Sequence, residues 1–131
     1  MIAHSDRTKL RQLFADRLVG AVRVVVRIHA GECSLCARAE DVLRETAALS
    51  DRLTLVTEIE TGEGPLPRIR LEGVARGEVG FVGPPSGYEF PSFIDAIIDV
   101  SRGTTSLSAD ALERLAALGH RVHIQVFTTP T

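Results

Sequence analysis

Residues 22–28, Val-Arg-Val-Val-Val-Arg-Ile, are β-branched and mostly apolar, and a helical pattern begins within a few residues of their end. A run of that composition predicts a central strand covered on both faces. In the stretch that follows, 33–49, Cys36, Ala39, Glu40, Leu43, Ala47 and Leu49 recur near one side of a helix, with Glu40 required to turn outward. Ser50 and Asp51 break the helix, and 53–59 gives a second strand. Strand, helix, strand is a βαβ unit with a right-handed crossover, and ligands of such sheets gather at the carboxyl edge. The chain's only two cysteines, Cys33 and Cys36, fall at that edge, where the first strand hands over to the helix.

The rest of the chain builds around this unit. Ser5 or Asp6 can cap a first helix over 7–18, with Leu10, Leu13, Phe14 and Leu18 on one face and Gly20 ending it. Gly62, Gly64, Pro65 and Pro67 punctuate the segment after the second strand. Residues 69–71 and 78–82 read as a hairpin around 73–77, stopped by Pro84-Pro85-Ser86-Gly87. Phe90, Phe93, Ile94, Ile97, Ile98 and Ser101 recur at helical spacing. Ser108 can cap a further helix through Leu118, and 122–127 closes the chain as a strand. With no repeat, low-complexity tract or linker, 1–131 reads as a single domain.

Composition removes several function classes. A formal net charge of −2, with acids and bases interspersed, argues against nucleic acid or an anionic membrane as main partner. No apolar run approaches the roughly 20 residues that span a bilayer, and no leader pattern opens the chain, so the expectation is a cytoplasmic protein. In a reducing cytosol, one close cysteine pair points to catalysis, redox sensing or metal binding rather than to a structural staple. A thiol at a helix N-terminus meets unpaired N–H groups and the positive end of the helix dipole, which favour its thiolate. The second thiol, one turn later, is close enough to form a disulfide. The spacing alone leaves a zinc half-site and inert core cysteines open.

The element order resembles a thioredoxin fold. The likeness is carried by residues 5–13, the Cys33–Cys36 site, Leu49-Ser50-Asp51-Arg52-Leu53, residues 83–90 with Gly87-Tyr88-Glu89-Phe90, Asp99-Val100-Ser101-Arg102, and residues 124–131. These resemble the amino-terminal unit of the glutaredoxin-like protein disulfide oxidoreductases. They are similar also to the first half of the amino-terminal domain of the flavoprotein component of alkyl hydroperoxide reductase. The resemblance implies an α/β, thioredoxin-like fold: a mixed central sheet flanked by helices, with an extra N-terminal helix and an extra C-terminal helix and strand (121–128).

The implied activity is thiol–disulfide oxidoreduction on protein disulfides. Cys33 would be the exposed nucleophile and Cys36 the thiol that resolves the mixed disulfide, while Ser34 and Leu35 tune potential and contact substrate. Pro67, after Leu66, occupies the position of the fold's cis-proline facing the dithiol, with Pro65 as the competing position. Glu32, next to Cys33, should oppose the thiolate and weaken its acidification. His29 is a modulating base or a plain strand end. Glu58 and Glu60 stand as buried proton shuttles or as solvated strand-end carboxylates. The expected partners are a protein disulfide and an upstream thiol or flavoprotein reductant; beyond the redox-active Cys33–Cys36 disulfide no cofactor is expected, and no metal.

Two departures qualify the resemblance. Those families are tandem, and in them a run like residues 126–131 leads into a second unit's own Cys-x-x-Cys, which lies outside this sequence. The segment after the second strand is also too short for the helix usually placed there, although six residues at ~3.3 Å each still cross two strand spacings. The trimmed scaffold keeps a noncatalytic adaptor alive as a rival, with a zinc module behind it. The apolar alternation of Val122, Ile124 and Val126 raises a homodimer through the C-terminal strand.

Overall fold

The computed structural model describes residues 2–129. Helix α1 (His4–Arg17) leads to strand β1 (Val22–His29), helix α2 (Ser34–Ala47) and strand β2 (Leu53–Glu60). Strands β3 (Arg68–Glu72) and β4 (Val79–Val82) follow, then a 3-10 turn (Gly87–Glu89), α3 (Phe90–Arg102) and α4 (Ala109–Ala116). The sheet order is β2-β1-β3-β4. β1 runs parallel to β2 and antiparallel to β3, and β3 and β4 form the expected hairpin. No helix interrupts 61–67. The fold is thioredoxin-like, a mixed four-stranded sheet flanked by helices.

Strand alternation decides where the core lies. Val22, Val24 and Val26 of β1 share a face with Leu53, Ile69 and Leu71, and this face packs with Phe14, Leu43, Phe93, Ile94, Ile97 and Ile98 from α1, α2 and α3. The other face is not the apolar surface expected for a strand covered on both sides. It carries Arg23, Val25, Arg27 and His29, with Thr54, Val56, Glu58 and Glu60 beside them in register. Ion pairs cross it: Arg23 to Glu72 at 2.8 Å, Arg27 to Glu58 at 2.8 Å and Arg70 to Glu72 at 2.6 Å. Part-exposed pairs of this kind each contribute little, so they keep the face soluble more than they hold the fold. Burial of Val25 makes the strand look symmetric in sequence, yet the two flanking arginines belong to a polar surface.

Several local expectations change. Ala3, with no side-chain bond, precedes α1, so Ser5 and Asp6 lie inside the helix rather than capping it. Glu40 is half-buried, and its carboxylate accepts a hydrogen bond from the hydroxyl of exposed Thr57 at 3.1 Å, tying α2 to β2. Ser108 does cap α4, its hydroxyl accepting from Ala111 N–H at 3.2 Å, although the helix ends at Ala116. The expected terminal strand is not formed: 121–129 has no ladder partner and is exposed throughout, since a lone strand has nothing to satisfy its backbone groups except water. α3 ends at Gly103, whose φ of 64° is the left-handed cap that glycine adopts without strain. Its last turn is locked to the start of β1 by Ser101, fully buried, which donates to the Gly20 carbonyl and accepts from the Val19 and Gly20 N–H groups.

Glu45 on α2 clamps the amino terminus, accepting from the Ile2 N–H at 2.8 Å and from Arg7 at 2.9 Å. The Ile2 N–H bond, aided by Arg7, holds its carboxyl below the ordinary carboxylate range, and the Arg27 hydrogen bond does the same for Glu58. Both folded-state values lie below the unfolded ones, so this stabilisation is complete above the usual value of 4.5 and is lost as pH falls through the folded values. The urea midpoint is expected to drop on acidification below that value, and to drop less steeply in Glu45→Gln and Glu58→Gln. A wild-type acid limb no steeper than theirs would contradict the assignment.

Candidate active site at the carboxyl edge of the sheet

β1 ends at His29, and the four residues before α2 bring the chain over the edge of the sheet to Cys33. Cys33 is the N-cap of α2, with extended backbone (φ −148°, ψ 97°), and its sulfur accepts from the Cys36 N–H at 3.1 Å. A side-chain acceptor at that position ordinarily comes from Ser, Thr, Asp or Asn. Here a sulfur does that work at the positive end of the helix. Cys33 and Cys36 form a disulfide, their Cα atoms 5.1 Å apart. Cys36 is 3% exposed and belongs to the inner side of α2, whereas Cys33 is only half-buried. Of the two sulfurs, the first is the one an incoming group can approach.

The surroundings combine polar and apolar groups. Ser34 and Leu35 are exposed, Leu35 at 47%, and Ile59 at the end of β2 is 60% exposed. Glu32, the residue before Cys33, is exposed. Leu66 is half-buried and Pro67 fully buried just ahead of β3. Because Arg68 pairs with Arg27, Pro67 falls one step further along the register, beside Ile28 at the same end of β1 that leads to Cys33. The Leu66–Pro67 peptide is cis, the only such bond among the described residues, which leaves the competing Pro65 trans. The Pro67 carbonyl accepts from Gly83 N–H at 2.8 Å, fixing the start of β3 to the loop after β4.

The acids divide. Glu58 is bonded to Arg27, whose guanidinium is in turn held more firmly protonated by Glu58. Glu60, across the register from half-buried His29, has one carboxylate oxygen buried with no hydrogen-bond partner. Among the described residues no hydrogen bond links either acid to the cysteines. Arg27 is the site-edge residue that the pattern reading passed over; its spacing from Arg23 and His29 by even steps along the strand was the available signal. No cluster of three His, Cys, Asp or Glu side chains converges among the described residues. A concavity of about 590 Å³ lies between α1 and the start of α3, lined by Leu10, Leu13, Val42, Phe90 and Ile94, and no cysteine lines it.

A thioredoxin-like sheet with a Cys-x-x-Cys disulfide at the start of its crossover helix defines the class. Comparison with solved structures agrees with it. The chain is similar to the alkylhydroperoxide reductase AhpF from Enterococcus faecalis (25% identity, TM-score 0.76, covering 89% of this chain and 61% of that one). It is similar to the separate NTD_N/C domain of the same protein (25% identity, TM-score 0.77, 90% and 61%). A protein disulfide oxidoreductase from Aeropyrum pernix shares the fold at 23% identity, with a TM-score of 0.83 over 98% of this chain and 60% of that one. The chain thus spans about three fifths of the length of each of these structures. No protein-family model and no curated protein matches the sequence.

Proposed function

We propose that this chain, as one domain over 1–131, is a cytoplasmic thiol–disulfide oxidoreductase acting on protein disulfides. The observation that carries the reading is the Cys33–Cys36 pair itself: a half-exposed sulfur capping a helix, bonded to a buried one a single turn further on. In the reduced form the Cys33 thiolate attacks one sulfur of a substrate disulfide, forming a mixed disulfide and releasing the other substrate sulfur as a thiolate. Cys36, losing its proton, then attacks the Cys33 sulfur, closing the internal disulfide and releasing the second substrate thiolate. Two electrons pass from the dithiol to the substrate. An upstream thiol or flavoprotein reductant restores the dithiol by the reverse sequence.

Ser34, Leu35 and Leu66 supply the surface that meets the substrate, Leu66 and Pro67 offering backbone beside the sulfurs to an extended peptide. Glu32 and His29 modulate the thiolate. A second reading, a noncatalytic adaptor on the same scaffold, is favoured by the helix-free link between β2 and β3. The copies associate through the C-terminal segment. A dithiol redox titration separates the two readings: a reversible two-electron midpoint and reduction of a protein disulfide are expected, and failure to reduce any disulfide selects the adaptor.

A further inference from the structure

We propose that residues 121–128 of one copy add as an antiparallel strand to the free edge of β2 in a second copy, with Arg121 opposite Glu60 and His123 opposite Glu58. This rests on the association proposed above and names its surface and register. β2 pairs only with β1, so its outer edge offers unpaired backbone groups over an eight-residue strand. The segment 121–128, Arg-Val-His-Ile-Gln-Val-Phe-Thr, is of equal length. It is exposed throughout, with Ile124 at 82% and Val126 at 80%. Among the described residues its one side-chain hydrogen bond, Thr128 to Glu89, lies on the segment that follows β4, the opposite edge strand.

Face matching and charge together select one register. β2 turns Leu53, Leu55, Thr57 and Ile59 toward the core side and Thr54, Val56, Glu58 and Glu60 toward the polar side. Opposite residues of an antiparallel pair share a face. Setting Arg121 against Glu60 brings Val122, Ile124 and Val126 beside Ile59, Thr57 and Leu55, extending the apolar side. His123 and Gln125 then meet Glu58 and Val56 on the polar side. A slip of one residue turns the apolar row onto the charged face. A slip of two keeps the faces and leaves only one of Arg121 and His123 opposite an acid.

A parallel alignment with matched faces brings Phe127 to Glu58 and leaves Arg121 without an acid. In the chosen register Arg121 stands opposite Glu60, one of whose carboxylate oxygens has no hydrogen-bond partner within the chain. The rival edge, β4, is four residues long and carries no charge. Mutual exchange of the two segments gives a closed, two-fold dimer.

Sedimentation equilibrium of the full chain in a Cys33→Ser/Cys36→Ser background reads this association without any contribution from thiol chemistry, so its result stands apart from that of the redox titration. A dimer is expected. Arg121→Glu should weaken it by about tenfold or more, through a like-charge contact with Glu60, and Arg121→Glu combined with Glu60→Arg should restore it. Ile124→Asp, at a position exposed in the single chain, should give monomers without loss of fold by circular dichroism. A monomer at all concentrations up to the solubility limit overturns the proposal. So does a dimer indifferent to both tail substitutions, or one that the charge exchange fails to restore.

Discussion

Replacing Cys36 by serine is expected to turn the protein into a trap for its own substrate. The Cys33 sulfur remains at the helix N-terminus, able to attack a disulfide, but nothing follows it to break the mixed disulfide that results. A covalent adduct should accumulate, visible by intact mass and removed by dithiothreitol, while turnover is abolished. Cys33→Ser should abolish turnover as well, yet leave no adduct, because the remaining sulfur is 3% exposed on the inner side of α2. The asymmetry follows from burial and capping, not from the spacing of the motif. Equal trapping by both variants would contradict the assigned order of attack, and trapping by neither would contradict the chemistry.

The largest loss of stability is expected from Phe93→Ala. Phe93 is fully buried in the first turn of α3, and its ring meets Phe81 of β4 edge-on at 5.4 Å between centroids. Truncation removes the ring and leaves a cavity between helix and hairpin, a change that costs about 3–5 kcal/mol. Against a total stability of about 5–15 kcal/mol, that is a large share. Chemical denaturation should show it directly as a shifted midpoint with an unchanged slope. Tyr88, only a few residues away and 82% exposed, is the control: Tyr88→Ala should stay within about 0.5 kcal/mol. A Phe93→Ala cost under about 1 kcal/mol would mean that the core closes elsewhere.

Much of this architecture was legible in the sequence, for identifiable reasons. The valine run of β1, the periodic leucines and isoleucines of α2 and α3, and the Gly/Pro breaks between them are strong local signals, and each element appears where its pattern lies. The site was legible as a location, since the cysteines sit at the only strand-to-helix junction of the crossover. What was not legible depended on neighbours. Whether Arg23 and Arg27 interrupt a buried strand or line a polar face is decided by Glu58 and Glu72 on adjoining strands. Glu40 is held at the rim of α2 by Thr57, on another element. The alternation of 122–127 predicts a strand that does not form, because a strand needs a ladder partner and no property of the segment itself supplies one.

The hydrogen bond from the Cys36 N–H to the Cys33 sulfur ties two events that are usually separate. The atom that would exchange partners under the proposed function is also the atom that caps the first turn of α2. A Cys33 sulfur that took a substrate sulfur as partner would do so from the position in which it accepts the Cys36 N–H. Under the proposed function, the stability of that single helical turn would be linked to the bonding state of the Cys33 sulfur.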